Sequence, residues 1–237
     1  MNPVGLLEKA VLIRRYKRFL ADVELSTGEI VVVHCPNPGS MLGCAEPGSA
    51  VFLRKSDSTT RKLPYTWVIT EVGPTLVSVD TLLANKVVGE ALRERRIPAL
   101  SQYEHVLSEY NYGDSRFDFC LGTAKDFTPE CIVEVKSTTL CEGNVAMFPD
   151  AKTERGRKHL HGLIEAKKQG LRAVQFFCIA RNDISSFTAA KHIDPAYAEA
   201  LCRAAAAGVE VMAWTTRMAI DNGSLAVHLH EQIDVVL

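Results

Sequence analysis

The spacing of the apolar residues changes near residue 80, and this change constrains the fold more than any other feature of the sequence. Before it, the chain consists of short strand candidates separated by turn-forming residues. After it, segments with helical spacing alternate with apolar strand candidates, an order typical of α/β domains. The sequence therefore predicts two domains, residues 1–82 and 83–237, which make the whole chain α+β.

The first domain is predicted to be a small barrel of five strands. Strand candidates lie at residues 11–25, 30–33, 50–53, 66–72 and 75–79. Between the second and third candidates, Pro36 and Pro38 prevent a continuous ladder, so a long loop is expected there. A five-stranded barrel with one long loop is OB-like, although an SH3-like barrel would give a similar pattern.

The second domain is predicted to be an α/β domain with a mixed sheet. The first helix is expected to include Leu82 to Leu92 and to be closed by Ile97-Pro98, and two more helices are expected at residues 153–169 and 196–207. Thr81 or Asn85 is the expected cap of the first helix, and Gly170 and Gly208 are expected to end the other two. Strand candidates lie at residues 106–111, 116–121, 131–137, 173–180 and 209–214.

Two neighbouring strand candidates carry ionisable residues in apolar surroundings, in the runs RFDF and IVEVKS. If these strands form a hairpin, Glu134 and Lys136 share one face, and Asp118 faces away from Phe117 and Phe119. Two carboxylates that converge in this way suit Mg²⁺ or Mn²⁺, and Lys136 could then polarise an attacking water. The alternative is an ion pair of Lys136 with Asp118 or Glu134 on an exposed face of the hairpin.

This order of Asp118, Glu134 and Lys136 resembles the signature of the PD-(D/E)XK nuclease superfamily. The resemblance implies that Asp118, Glu134 and Lys136 are catalytic. It also implies one more metal-binding carboxylate from the helix before the first strand, where Glu90 lies. Glu104 and Glu109 are the competing candidates for that third position.

A basic segment begins the helix that is predicted after the Glu134 strand. Arg155, Lys158 and, as a further candidate, Arg157 are expected near the start of this helix, where cations and free backbone N–H groups can meet phosphates. The alternative is a solvated helix face with a Glu154–Lys158 pair. His159 and His161 point in different directions on a helix, so local polar contacts are expected for both.

A second basic segment lies in the first strand candidate and interleaves cations with aromatic side chains. Cations follow phosphates and aromatic rings stack on bases, as in OB-folds that bind single strands. On a strand, Arg14, Tyr16 and Arg18 would share one face, and one of the two faces could instead be a solubilising edge. The predicted nucleic-acid-binding residues are Arg14, Arg15, Tyr16, Lys17, Arg18, Arg155 and Lys158.

The overall charge narrows the kind of nucleic-acid site that is possible. Lys and Arg number 27 against 28 for Asp and Glu, which excludes a uniformly basic DNA-coating protein, so any such site must be local. The sequence has no P-loop, dinucleotide-binding, nucleophile-elbow or zincin motif. The seven scattered cysteines are expected to be reduced, and the lack of a long apolar stretch predicts a cytoplasmic protein without a membrane span.

Over residues 14–200 the chain resembles the sugar fermentation stimulation protein A (SfsA) family. The motifs that carry the resemblance are RRYKRFLADV, HCPNPGSMLGC, RFDF, IVEVKSTTL, FPDAKTERGRKHL and HIDPAYAEAL. The resemblance implies an N-terminal OB-like domain, a nuclease-like second domain, DNA binding and a link to the regulation of sugar metabolism, notably that of maltose. Pro38 and Lys152 depart from the expected family pattern, which has Thr and an apolar residue there.

Together these patterns predict a DNA-binding protein with a phosphodiesterase site that depends on Mg²⁺ or Mn²⁺. Binding is expected to be largely independent of DNA sequence, because Arg and Lys suit phosphates and no recognition helix stands out. The alternative is a non-catalytic DNA-binding regulator that retains a nuclease fold. The oligomeric state is left open by the sequence.

Overall fold

The structure is a computed structural model that describes residues 6–58, 60–124 and 126–237. The first sheet has six strands: β1 (Leu7–Tyr16), β2 (Leu20–Leu25), β3 (Ile30–His34), β4 (Ala50–Lys55), β5 (Tyr65–Val72) and β6 (Thr75–Ser78). Strand β1 pairs with β2 and β4, β2 pairs with β3, and β4 pairs with β5. A parallel bridge between His34 and Thr66 joins β3 to β5 and closes five strands into an OB-like barrel, as predicted.

The predicted strand at residues 11–25 is wrong, because the chain reverses within it. Lys17 and Arg18 have φ values of +47° and +63°, which end strand β1, and Tyr16 pairs with Leu20 across the resulting hairpin. Arg18 therefore does not share a strand face with Arg14 and Tyr16. Strand β6 pairs with β5, outside the closed ring of five strands.

The second domain begins with helix α1 (Thr81–Arg93). Its strands are β7 (His105–Tyr112), β8 (Ser115–Gly122), β9 (Cys131–Thr138), β10 (Cys141–Glu142), β11 (Val145–Phe148), β12 (Arg172–Ile179), β13 (Ser186–Ala189), β14 (Glu210–Asp221) and β15 (Ser224–Val236). Two more helices, α2 (Glu154–Lys168) and α3 (Pro195–Ala206), complete the domain. The strand order is β10-β11-β13-β15-β14-β12-β9-β8-β7, and both parallel and antiparallel pairs occur, so the predicted mixed sheet is confirmed.

The helices lie on opposite faces of this sheet. Helix α1 packs through Val87 and Val88 against a layer that contains Val133, whereas α2 and α3 contribute to a second buried layer with Ile132. The N-cap of α1 is Asp80, whose carboxylate accepts from the backbone N–H of Leu82. The prediction of Thr81 or Asn85 as the cap was wrong. Asn85 instead contributes to the site described below.

The two sheets share an apolar interface on the α1 side. Phe52 and Ile69 of the barrel belong to the same buried cluster as Val87 of α1 and Trp214 of β14. Backbone hydrogen bonds join Leu7 to Gly223 at 2.7 Å and Ser78 to Ala180 at 2.9 Å. The barrel is therefore packed firmly against the second domain, which fixes the position of its long loop.

Candidate functional site

A cavity of about 620 Å³ lies between the barrel and the second domain. The barrel contributes Arg18 and the loop residues Asn37 to Gly39, and α1 contributes Thr81 and Asn85. The remaining wall comes from β8, β9, the segment that leads into α2 and the first turn of α2, including Asp118, Glu134, Lys136, Asp150 and Arg155. All three residues predicted to be catalytic therefore line one cavity.

The barrel loop is attached directly to the far wall of this cavity. Ser40 Oγ donates to the backbone carbonyl of Asp150 at 2.6 Å, and the N–H of Met41 donates to Asp150 Oδ2 at 3.0 Å. A Cβ on Gly39 would overlap the Asp150 carboxylate, so this position needs glycine because of the close approach. The cavity is thus a joint feature of the two domains.

Asp118 lies where strands β8 and β9 separate. Their pairing ends at Phe119 and Val133. Phe117 belongs to the buried layer on the α2 side and Phe119 to the layer on the α1 side. The regular alternation predicted for Phe117, Asp118 and Phe119 is therefore wrong at this point, because the strand rotates as it leaves its neighbour.

The Asp118 carboxylate is held by two donors. Asn85 Nδ2 donates to Oδ1 at 2.6 Å, and the backbone N–H of Val135 donates to Oδ2 at 2.7 Å. Burial raises the pKa of Asp118 to about 6, and the nearby charge of Glu134 adds to the rise. The two hydrogen bonds and the charge of Lys136 act in the opposite direction but do not cancel it.

Glu134 is almost fully buried, with a side chain that is 3% exposed. Burial acts to raise its pKa, but the hydrogen bond from His159 and the charge of Lys136 outweigh it, so the pKa lies below the ordinary value. Its Oε1 accepts from Lys136 Nζ at 2.5 Å and from His159 Nδ1. Its Oε2 has no hydrogen-bond partner among the described residues. An ionised carboxylate with one unused oxygen is costly in a buried position, and a bound cation would relieve that cost.

The ion pair that the sequence left as an alternative does form, between Glu134 and Lys136. It does not lie on an exposed face, however, because the two side chains are only 3% and 14% exposed. When a charged pair is buried, the free energy lost by removing both charges from water is about as large as the attraction gained between them. The pair is therefore a weak source of stability, and this makes a chemical role for the two residues more reasonable.

The residues present fit a divalent cation of the Mg²⁺ type. Burial is the main cause of the raised pKa of Asp118 and the charge of Glu134 adds to it, so the two carboxylates repel each other; Glu134 Oε2 also has no partner among the described residues. Within the described part of the chain, no cluster of three or more His, Cys, Asp or Glu side chains could hold a metal. Mg²⁺ usually retains several waters and needs only one or two carboxylates together with substrate phosphates.

The predicted third carboxylate, Glu90, is not among the described residues that line the cavity. The α1 side chain that contacts Asp118 is Asn85, which supplies an amide donor instead. Glu104 and Glu109 are exposed and pair with Arg95 at 3.2 Å and with Arg116 at 2.9 Å. The structure therefore brings two of the predicted carboxylates together, and a metal-binding role for Glu90 stays a prediction.

The basic residues of the barrel fall into two groups. Arg14 pairs with Asp22 at 2.8 Å, and Tyr16 Oη donates to the same carboxylate at 2.8 Å. Arg15 donates to backbone carbonyls of the long loop, at 2.8 Å to Gly39 and at 2.9 Å to Asn37. Lys17 and Arg18 lie in the exposed hairpin turn, and only Arg18 of this segment lines the cavity.

Helix α2 places one predicted cation at the cavity and one outside it. Arg155 lies in the first turn and lines the cavity, whereas Lys158 is exposed and is not among the lining residues. Lys158 does not pair with Glu154 in any ion pair that the described residues form. Arg157 instead contacts Asp194 at 3.2 Å, which joins α2 to the N-cap of α3.

Sequence reasoning missed His159 as a member of this site. The ring is buried, contacts Glu134 through Nδ1 and lies 3.3 Å from Lys136 Nζ. Arg155 Nε donates to the other ring nitrogen at 3.4 Å. The available signal was the i,i+4 spacing of Arg155 and His159, which places both on one face of a helix. The prediction of local polar contacts for His159 holds for Arg155, but the contact with Glu134 comes from a distant strand and was not foreseen.

No helix among residues 6–58, 60–124 and 126–237 is long and apolar enough to cross a membrane.

Comparison with known proteins gives matches over both domains. The model of the sugar fermentation stimulation protein RE domain matches residues 82–222, and that of the SfsA N-terminal OB domain matches residues 13–79. The sugar fermentation stimulation protein homolog of Pasteurella multocida (strain Pm70) is 48% identical over 211 residues, which cover 88% of this chain and 87% of that protein. The homolog of the same name from Geotalea uraniireducens (strain Rf4) is 46% identical over 225 residues, covering 93% of this chain and 96% of that protein.

A solved structure is also similar to the chain over nearly its full length. It is that of Pyrococcus furiosus SfsA in complex with Ca²⁺, which has a TM-score of 0.88 and 28% sequence identity. The alignment covers 99% of this chain and 98% of that one. The similarity therefore extends over the barrel, the second domain and their relative placement.

Proposed function

The chain belongs to the sugar fermentation stimulation protein (SfsA) family, and from this premise we propose that it is a DNA-binding protein with a divalent-metal-dependent phosphodiesterase site. The observation that carries the proposal is the buried Glu134 carboxylate, whose Oε2 has no partner among the described residues while Asp118 lies close enough to be destabilised by its charge. The hydrogen bonds of the two carboxylates orient them but leave Glu134 Oε2 without a partner among the described residues. A divalent cation would bind that oxygen and offset the effect of the Glu134 charge on Asp118.

Asp118 and Glu134 would hold Mg²⁺ or Mn²⁺. When bound, such an ion stabilises charge on a phosphoryl oxygen and lowers the pKa of a bound water. Asn85 and the Val135 N–H orient the Asp118 carboxylate through its two hydrogen bonds. The Pyrococcus furiosus relative was solved in complex with Ca²⁺, and this supports a divalent cation in the family without locating it in this chain.

Lys136 would act on the attacking water or on a phosphoryl oxygen. Its ammonium group contacts Glu134 Oε1 and lines the same cavity as Asp118 and Glu134, so it lies beside the residues that would hold the cation. With Asp118 and Glu134 engaged in holding a cation, Lys136 would be less tightly held by the Glu134 carboxylate. The lysine would then be able to donate to the substrate, which is the role that its position in the motif predicts.

The substrate would be held by phosphate contacts at both ends of the cavity. Arg18 of the barrel and Arg155 of α2 both line it, from different domains. Arginine suits this role because its planar group binds phosphate oxygens in a bidentate manner. Lys17 and Lys158 lie close in sequence to Arg18 and Arg155, respectively, and are exposed. They would add phosphate contacts along the nucleic-acid strand. Binding through phosphates alone is largely independent of base sequence.

The proposal is tested by incubating the chain with labelled single- and double-stranded DNA and RNA, with and without Mg²⁺ or Mn²⁺, and scoring both retention and cleavage. We expect retention without metal and cleavage only with metal. Glu134→Gln is the matched control, because it keeps the shape of the side chain and removes its charge. Retention without cleavage across all metals and substrates would contradict a phosphodiesterase and leave the non-catalytic DNA-binding regulator.

The link to sugar metabolism enters this proposal through the names of the relatives. A DNA-binding protein could act there as a regulator, and the cytoplasm is the location in which it would meet DNA. Both remain predictions. Both predictions can be tested together by cross-linking the chain to DNA in cells and recovering the DNA bound to it. A protein that lies outside the cytoplasm would recover no DNA.

A further inference from the structure

Three side chains form a continuous row of contacts from the cavity wall to the buried carboxylate. Arg155 Nε contacts His159 Nε2 at 3.4 Å, and His159 Nδ1 contacts Glu134 Oε1. Arg155 and Glu134 both line the cavity, and the His159 side chain that joins them is only 7% exposed. The row therefore links an exposed residue that can reach a substrate to the Glu134 carboxylate through a buried ring.

The neighbours of His159 decide which ring nitrogen carries the hydrogen. The Arg155 guanidinium can only donate, so the nitrogen that faces it, Nε2, must accept. The Glu134 carboxylate can only accept when ionised, so the nitrogen that faces it, Nδ1, must donate. Lys136 Nζ also lies 3.3 Å from Nδ1, but it is closer to Glu134 Oε1, at 2.5 Å, and donates there. The tautomer with the hydrogen on Nδ1 therefore satisfies both Arg155 and Glu134. Arg155 thus fixes the ring in the form that donates to Glu134.

Glu134 Oε1 has two donors, and they are not equivalent. Lys136 Nζ is one of them, and in the proposed function this group turns toward the water or the phosphoryl oxygen. His159 is the other, and it has little freedom to leave. It lies on α2, and its ring packs against that of Phe117 with 5.8 Å between the centroids. After Lys136 turns away, His159 is the side chain that still holds Oε1.

We propose that His159 is a positioning residue for Glu134: by holding Oε1 it keeps Oε2 available to a divalent cation, and Arg155 keeps the ring in the required tautomer. The inference rests on the proposed function. It follows the general pattern in which a carboxylate that binds a metal is itself oriented by a hydrogen bond, the loss of which typically weakens metal affinity about 10- to 100-fold.

The test compares Mn²⁺ binding by the wild type, His159→Leu and His159→Asn, measured calorimetrically on the full chain without nucleic acid. Leu removes the donor and keeps an apolar side chain of similar bulk. Asn keeps an N–H near the position of Nδ1. We expect the dissociation constant to rise at least about tenfold in His159→Leu and to return to within about threefold of the wild type in His159→Asn.

A third variant, Arg155→Leu, covers the case in which a substitution at the buried position prevents folding. Arg155 is exposed, so this variant should fold, and without Arg155 the tautomer is no longer fixed. We expect its Mn²⁺ affinity to fall by about twofold to fivefold, less than for His159→Leu but in the same direction. Unchanged affinity in Arg155→Leu would overturn the part assigned to the arginine.

The outcomes separate this inference from the proposed function. If the wild type binds Mn²⁺ and His159→Leu binds it equally well, the positioning role is wrong and the metal site stands. If His159→Leu and His159→Asn are weakened equally, the effect comes from packing, and the positioning role is again wrong. If the wild type binds no Mn²⁺ at all, the proposed metal site falls, and the positioning role falls with it.

Discussion

The backbone N–H of Val135 donates a hydrogen bond to Asp118 Oδ2 at 2.7 Å. This bond joins β8 to β9 beyond the point where their backbone pairing ends, at Phe119 and Val133. The Asp118 carboxylate thus replaces a backbone carbonyl of β8 as the hydrogen-bond acceptor for β9. The result is that Asp118 lies in a buried position, where burial and the charge of Glu134 both raise its pKa and a bound divalent cation would offset the repulsion between the two carboxylates.

The raised pKa of Asp118 predicts a specific dependence of stability on pH. Between the ordinary value of 3.8 and the folded value of about 6, the folded chain binds more protons at this residue than the unfolded chain does. The free energy of unfolding contributed by Asp118 is therefore highest below pH 4 and falls as the pH rises through 6, by up to about 3 kcal/mol. Without metal, the unfolding free energy of Asp118→Asn, relative to that of the wild type, should therefore increase by that amount between pH 4 and 7.5.

This prediction is checked by urea unfolding of both proteins at a series of pH values in the presence of a chelator. Only the change in their difference with pH matters, because the asparagine also alters the hydrogen bonds at every pH. A difference that stays constant from pH 4 to pH 7.5 would mean that Asp118 titrates normally, and the electrostatic description of the site would be wrong.

Arg14 and Arg15 are neighbours in sequence, but their replacement by glutamine should have different effects. Arg15 holds the long loop through the carbonyls of Asn37, Gly39 and Ser40, so Arg15→Gln should cost about 2 kcal/mol of unfolding free energy. Arg14 forms an exposed pair with Asp22, and pairs of that kind contribute little. Chemical denaturation of the two variants measures this contrast, and equal losses would remove the loop-holding role of Arg15.

Replacing Gly39 with alanine should disturb the contact between the barrel loop and the second domain. The added methyl group would displace the Asp150 carboxylate and break its hydrogen bond with the Met41 N–H, at a cost of about 1–3 kcal/mol. Asp150→Ala removes the obstacle, so the double variant should be hardly less stable than Asp150→Ala alone. The unfolding free energies of the two single variants and the double variant measure this coupling. If the losses from the two single variants simply add in the double variant, the need for glycine at position 39 does not come from its contact with Asp150.

Binding of DNA should depend on the two exposed cations of the barrel turn. Changing Lys17 and Arg18 together to glutamine should reduce the slope of log affinity against log salt by up to about two units, because each phosphate contact releases about 0.9 of a counterion. Arg14 and Arg15 are already engaged with Asp22 and with loop carbonyls, so their joint replacement should change the slope less. Fluorescence anisotropy over a salt series distinguishes the two pairs, and the reverse order would contradict this assignment.

Much of the fold could be predicted because its patterns are local. The turn at Gly73-Pro74 between β5 and β6, and the glycines that follow α2 and α3, have residue types that enforce their conformations. The hairpin at Lys17 and Arg18 could not be predicted, since lysine and arginine rarely adopt positive φ values. Strand β15 was missed because its exposed His and Glu residues hide the alternation with buried Leu225, Val227 and Leu229.

The site could be predicted in part for the same reason. Glu134 and Lys136 share a strand, so period-two alternation was enough to place them on one face. His159 and Asn85 come from helices, and their contacts depend on which side of the sheet each helix covers and in what orientation. That information is tertiary, and neither residue type nor spacing contains it.

The most direct test of the metal-dependent phosphodiesterase compares single-turnover cleavage and DNA affinity in the wild type and Lys136→Ala, at the same Mn²⁺ and salt concentrations. We expect the cleavage rate to fall at least about 100-fold, as for the loss of a group that acts in the transition state. The dissociation constant for DNA should change less than about threefold, because one cation among many releases about one counterion. Cleavage by Lys136→Ala at the wild-type rate would contradict the account, since the activity would then come from another site.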